Sequence, residues 1–269
     1  MFRQVAAAAL CAIVICAGAG AGAAPAADDA ALARTGELGR DIYRYDRAAW
    51  VSTDAMVETF GNDLDPLGLT GYVVEPVGEG LLRATYYGGE GDALRAIFVA
   101  EVRDRQVVSS RAVKPGEDGA LSPVAKRMAA AQQAAAREAQ KRRYAPCASH
   151  PFNLVVLPPA TADGPVLVYF LTPQLEENAY PFGGHYLVEV GADGKVLSSR
   201  AFTKSCLTLP SAAPDGGELA GLMVSHVMDP TPTEIHVFLS LSAQLPVYVA
   251  TGGGAVWKVE GERIGRSKD

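Results

Sequence analysis

The stretch FVAEVRDRQVVSSRAV, Phe98 to Val113, has a near twin in YLVEVGADGKVLSSRAF, Tyr186 to Phe202. Each holds two apolar-rich runs around a short polar turn, the pattern of a β-hairpin. Val107 to Val113 aligns with Val196 to Phe202 at an offset of 89, and the strand before it at 88. The difference falls in the turn, Arg103 to Gln106 against Gly191 to Lys195, where repeated hairpins tolerate a length change. Counting outward from the turns pairs Val102 with Val107, Ala100 with Ser109 and Phe98 with Arg111. In the twin it pairs Val190 with Val196, Val188 with Ser198 and Tyr186 with Arg200. Each arginine is thus expected opposite an aromatic ring, which makes Ser-Ser-Arg-Ala an architectural element. The rival reading, an anion site built from both motifs, requires Arg111 and Arg200 to converge.

Around each hairpin lies a longer meander. YVVEPV, LLRATYY, AIFVAEV and VVSSRAV supply four strands in the first; FNLVVL, VLVYFLT, HYLVEV and VLSSRAF supply four in the second. A helical stretch precedes each. In Asp28 to Phe60 the residues Ile42, Tyr43, Trp50, Met56, Val57 and Phe60 recur at helical spacing and predict one or two helices. In the second, Ser122 is a candidate N-cap, Pro123 takes the first helical position, and Lys141, Arg142 and Arg143 complement the dipole at the end. A third, looser round is expected after residue 210: a short helix around Glu218 to Val227, then strands in EIHVFLSL, PVYVAT and VWKVEGERI.

The fold class is therefore α+β, built of repeated helix-plus-antiparallel-meander units with helices packed on antiparallel sheet. The expected segments are 27–120, 121–209 and 210–269, after a leader at 1–26. In architecture alone this unit resembles cystatin-like and PepSY-like modules, which implies inhibitor or binding roles but fixes no residue.

The leader is MFRQVAAAALCAIVICAGAGAGAAPA: Arg3, an apolar run from Val5 to Ala17, and small residues offering cleavage near Ala23 or Ala26. That is the layout of a secretory signal, too short to span a bilayer. Its removal leaves roughly 240 residues, enough for a large core. The formal charge of −6 becomes one unit more negative without Arg3, which gives no electrostatic reason to bind nucleic acid or an anionic membrane. Location is expected to be periplasmic or secreted, with no stable membrane insertion after cleavage. Of four cysteines, Cys11 and Cys16 leave with the leader, so Cys147 and Cys206 are expected to pair.

Chemical motifs are sparse. There is no Gly-x-Ser-x-Gly elbow, and GADGKV lacks the first glycine and the hydroxyl residue of a phosphate loop. Asn62, Asp63 and Asp65 lack EF-hand spacing. His226, Asp229, Glu234 and His236 cluster in HVMDPTPTEIH without a metal-motif spacing. No cofactor and no metal site are expected. Two segments invite a partner: the long loop Thr172 to Tyr186, with Glu176, Glu177, Tyr180, Phe182 and His185, and DPTPTEIHVF, where Glu234 and His236 could line a pocket mouth. The competing reading of the loop folds Tyr180 and Phe182 down as a plug. The expected function is an exported, non-catalytic binding protein of the bacterial cell envelope, its partner an unknown envelope protein or small ligand. The alternative is a hydrolase or metal-dependent enzyme using His185, His226, His236 and Glu234.

Overall fold

A single helix, α1 (Asp29–Phe60), opens the computed structural model, which describes residues 28–213 and 217–267. The expected leader lies outside these residues. Asp28 caps α1 by accepting from the Ala30 amide at 3.0 Å, and Gly61 ends it at φ +86°, a backbone state that favours glycine.

The first meander follows as β1 (Leu69–Gly78), β2 (Leu81–Gly88), β3 (Arg95–Arg103) and β4 (Gln106–Ala112), antiparallel and in chain order. Helix α2 (Pro123–Arg142) starts on Ser122, whose hydroxyl accepts from the Ala125 amide. The second sheet is formed by β5 (Asn153–Leu157), β6 (Val166–Leu171), β8 (Tyr186–Val190) and β9 (Val196–Ala201). Between β6 and β8 the chain leaves the sheet, and β7 (Ala179–Pro181) pairs with β10 (Thr208–Pro210) in a two-stranded ribbon. The Cys147–Cys206 disulfide ties the approach to β5 to the approach to β10.

The two sheets meet at β1 and β5, where the Tyr72 hydroxyl donates to the Leu154 carbonyl at 2.8 Å. Side chains alternate between two cores. On one side Val74, Ala84, Tyr86, Phe98 and Ala100 join Val155, Tyr169, Leu171 and Leu187 beneath α1. On the other, Val73 and Tyr87 join Val156, Val168, Phe170 and Val188 beneath α2. Each helix therefore packs on its own meander and on the first strand of the other, α1 on β5 and α2 on β1. The alanines of α2, with Ala125, Ala129 and Ala135 buried, let it lie close to the strands.

The hairpins form, but with a register that counting from the turn misses. Val102 pairs with Val107, then Glu101 pairs with Ser109, leaving Val108 as an extra residue. The twin repeats this: Val190 pairs with Val196, Glu189 with Ser198, and Leu197 is extra. Such a bulge shifts every later residue by one and turns its side chain to the other face. Arg111 and Arg200 accordingly stand opposite Val99 and Leu187 instead of Phe98 and Tyr186. Arg200 finds a ring on its own strand end, with its guanidinium carbon 4.7 Å from the centre of Phe202.

The third round is corrected more deeply. Leu222–His226 is strand β11, not helix; Glu234–Ala243 is helix α3, not strand; β12 (Val247–Thr251), β13 (Val256–Glu260) and β14 (Arg263–Arg266) complete a four-stranded sheet with β11 parallel to β12. Leu222, Val224 and His226 point inward while Met223 and Ser225 point out, a period of two. Ile235 to Leu239 are all buried because α3 is enclosed between α1 and its own sheet. Gly39 makes the α1–α3 crossing possible: a Cβ there would lie 2.4 Å from the Val237 Cβ.

Candidate functional site

A turn in the middle of α1 supplies one wall of a cleft. Tyr43, Arg47 and Trp50 share a helix face at spacings of four and three. The Arg47 guanidinium carbon sits 5.0 Å from the Trp50 ring and 6.0 Å from that of Tyr43. One position back, Asp46 turns toward the core and is 4 % exposed, held by Arg47 through Nη2 at 2.5 Å and Nε at 3.1 Å. Burial raises the Asp46 carboxyl above its ordinary range, and the charge and hydrogen bonds of Arg47 oppose that shift. The guanidinium is thus fixed from below by a carboxylate and above by an indole. Trp50 itself is 51 % exposed.

The facing wall is the loop after β6, with Pro173, Leu175 and Tyr180; Phe152, Leu171 and Phe238 line the base, and His150 also borders it. Together they enclose about 390 Å³, within the range of small-ligand pockets. The lining is mixed: Asp46, Arg47, Asn153, Thr172, Gln174 and Ser242 are polar beside aromatic, proline and aliphatic side chains, an arrangement that offers a ligand or peptide segment both apolar surface and hydrogen bonds.

Of the residues singled out from sequence, Tyr180 lies on this wall, half-buried and paired in register with Leu209. Phe182 is buried in the main core, so the loop combines the two readings: Phe182 plugs and Tyr180 faces the cleft. Glu176 borders a smaller hollow of about 160 Å³ beside Cys147. Its backbone carbonyl and that of Glu177 accept from the Gln174 amide, and both acidic residues are exposed. His185 is fully buried: Nδ1 accepts from the Thr172 amide at 3.3 Å, so the proton rests on Nε2, which donates to Pro181 at 2.8 Å. Burial holds its pKa down to about 4. His185 fastens the base of the loop.

Glu234 and His236 belong to a second cluster, where the third unit meets the second sheet. Asp229 Oδ2 receives His226 Nε2 at 2.8 Å and the Arg200 guanidinium at 2.6 Å. Tyr169 donates to Glu234 at 3.2 Å. The rings of His226 and His236 meet edge to face, 4.7 Å between centres. His236 also caps α3: its Nδ1 accepts from the Thr233 amide at 3.0 Å. Burial, then the neighbouring His226, lowers His236 to about 3. Burial raises Glu234, offset in part by its own backbone amide, Tyr169 and Arg200. For Asp229 burial pushes upward, yet the His226 and Arg200 contacts outweigh it and hold the carboxyl at about 2. Both histidines are buried, His226 at the end of β11 and His236 in the first turn of α3. Among the described residues no group of three or more His, Cys, Asp or Glu is arranged to hold a metal ion.

Arg111 and Arg200 do not share a cleft: Arg111 reaches Glu117 at 3.5 Å, whereas Arg200 goes to Asp229. Asp46, Arg47 and His150 were not legible as site residues. The one local signal was the Tyr43, Arg47, Trp50 spacing, which places two rings and a guanidinium on a single face. Compared with known proteins, the chain matches no family model, no curated protein and no solved structure. Among the described residues no helix is long and apolar enough to cross a membrane.

Proposed function

We propose that the chain is an exported, non-catalytic binding protein of the bacterial cell envelope, and that the cleft between α1 and the loop after β6 receives its partner or ligand. The observation that carries this reading is the exposed Trp50, braced by an Arg47 that Asp46 fixes in turn, above a hollow of about 390 Å³. A large ring kept half in water and immobilised by neighbours costs little entropy on association, which is why tryptophan, tyrosine and arginine concentrate binding energy. The apolar leader supports export, and the disulfide suits an oxidising compartment. The test is capture from envelope extract by the wild-type protein and by an Arg47→Ala, Trp50→Ala variant side by side. A component retained by the first and lost by the second supports the reading; identical capture, or none, removes it.

A second reading, catalysis at the junction cluster, draws on the convergence of His226, His236, Asp229 and Glu234. His185 stands outside that set, engaged with Pro181 and Thr172. Hydrolysis of ester or amide substrates that disappears in His226→Gln would favour it.

A further inference from the structure

The second and first sheets differ in what covers the face turned away from their own helix. On the second sheet the third unit lies there, and Tyr169, Leu187 and Phe202 are buried. The corresponding positions on the first sheet are Thr85, Val99 and Val113; α2 packs on the β1 side of this face, and the third unit has no counterpart over the rest of it. That remaining part forms the floor of a hollow of about 330 Å³ walled by residues 118–122.

That floor carries a ladder of charge. Glu75 pairs in register with Arg83, Arg83 with Glu101, and Glu101 with Ser109, one residue from each of β1 to β4. The Arg83 guanidinium turns to Glu101, donating at 2.8 Å, and Ser109 donates to the other Glu101 oxygen at 3.3 Å. These contacts hold the Glu101 carboxyl below its usual range. Glu75 is left without a cation. It is 6 % exposed, accepts the Ser122 hydroxyl at 2.6 Å through Oε2, and among the described residues has no ion-pair partner. The start of α2, reached through Ser122, offsets part of the charge at about half a unit. Glu75 lines the hollow with one neutral donor, so a positive group entering there meets an acceptor that no cation among the described residues occupies. Glu75, Glu101 and Asp118 against Arg83 and Arg111 leave the lining with one net negative charge.

We propose that this hollow is a second binding site, distinct from the cleft, for a small organic cation whose guanidinium or ammonium group lies on Glu75, with its remaining polar groups toward Ser109 and the exposed Arg111. A metal ion fits less well, because no metal-binding grouping is present among the described residues.

The test is calorimetric titration of the mature protein with L-arginine, putrescine and the uncharged isostere L-citrulline, repeated with Glu75→Gln. The expected result is saturable binding of arginine or putrescine, about tenfold or more tighter than citrulline, and weakened at least as much in Glu75→Gln. Because Glu75 also supports the Ser122 cap, the variant's melting temperature is recorded. Arginine against citrulline on the wild type decides the matter should the variant not fold. No binding of either cation, equal binding of citrulline, or a Glu75→Gln variant that melts lower yet binds as tightly would overturn the proposal, the last leaving Glu75 a helix-capping residue only. Binding of calcium or magnesium in place of the organic cations would overturn it too. None of these outcomes bears on Trp50 and the cleft.

Discussion

Arg200 and Asp229, 29 residues apart in the chain, meet at 2.6 Å and join β9 to the turn that follows β11. The same carboxylate oxygen holds His226, which is 3 % exposed. Asp229 is thus the acceptor on which two donors from different units depend. Asp229→Ala strands a buried imidazole and leaves a half-buried guanidinium unpaired, at a cost of about 1–3 kcal/mol. Urea unfolding measures it, and a variant within error of wild type contradicts the assignment.

Acid weakens the fold in a defined order. His185 and His236, lowered to about 4 and about 3, stay neutral when folded while the unfolded chain takes up protons below about 6.5. The stability they confer is complete above that value and declines as pH falls toward 4 and 3. Asp229, held at about 2, contributes fully above the usual carboxylate range and loses its share only below it. Denaturation midpoints at pH 7, 5.5 and 4.5 should fall steadily. The Asp46 and Glu234 carboxyls, raised by burial, oppose this loss in part as pH falls, and midpoints that rise from pH 7 to 4.5 would contradict the buried, neutral imidazoles.

Gly39 lies where α1 crosses α3. An added methyl would meet the Val237 Cβ at 2.4 Å and the Glu234 carbonyl at 2.6 Å. Alanine normally favours a helix over glycine by about 1 kcal/mol, yet overpacking here costs about 1–3 kcal/mol. Gly39→Ala should therefore lower the melting temperature, opposite in sign to the helix-propensity effect, and differential scanning calorimetry reads that sign directly.

Removing the disulfide loosens the loop that builds the cleft wall. Cys147 and Cys206 are separated by 59 residues, and a loop of that size stabilises by about 4 kcal/mol on chain entropy. The Cys147→Ala, Cys206→Ala variant should unfold at markedly lower denaturant. Its β7–β10 ribbon should also exchange amide hydrogens faster than β6 or β8. Uniform protection across these strands would contradict the role given to the bridge.

The first two meanders were legible because short Val-, Tyr- and Phe-rich runs alternate with Gly and Asp turns, and because Ser122-Pro123 marks a helix start. The bulges were not: counting outward from a turn assumes equal numbers on both strands, and Val108 and Leu197 break that equality. The third round misled for a physical reason. Ile235 to Leu239 is buried on every side, with Ile235, Val237, Phe238 and Leu239 apolar around His236, so it has no period to separate helix from strand. Its capping box uses His236 where a glutamate or glutamine is the usual sign. β11 did alternate, with Leu222 and Val224 inward, but over only five residues. The cleft gathers Trp50, Phe152, Leu175 and Phe238 from segments far apart in sequence, and no local pattern announces such a meeting.

The central claim, that the cleft beside Trp50 is the binding surface, is tested most directly by the tryptophan itself. The chain has two tryptophans, and Trp257 is buried. In a Trp257→Phe variant, emission reports Trp50 alone. Titration with fractionated envelope extract should give a saturable change in that emission with one fraction, and Arg47→Ala introduced into the same variant should abolish it. An emission unaltered by every fraction, or a change that survives Arg47→Ala undiminished, would contradict the account.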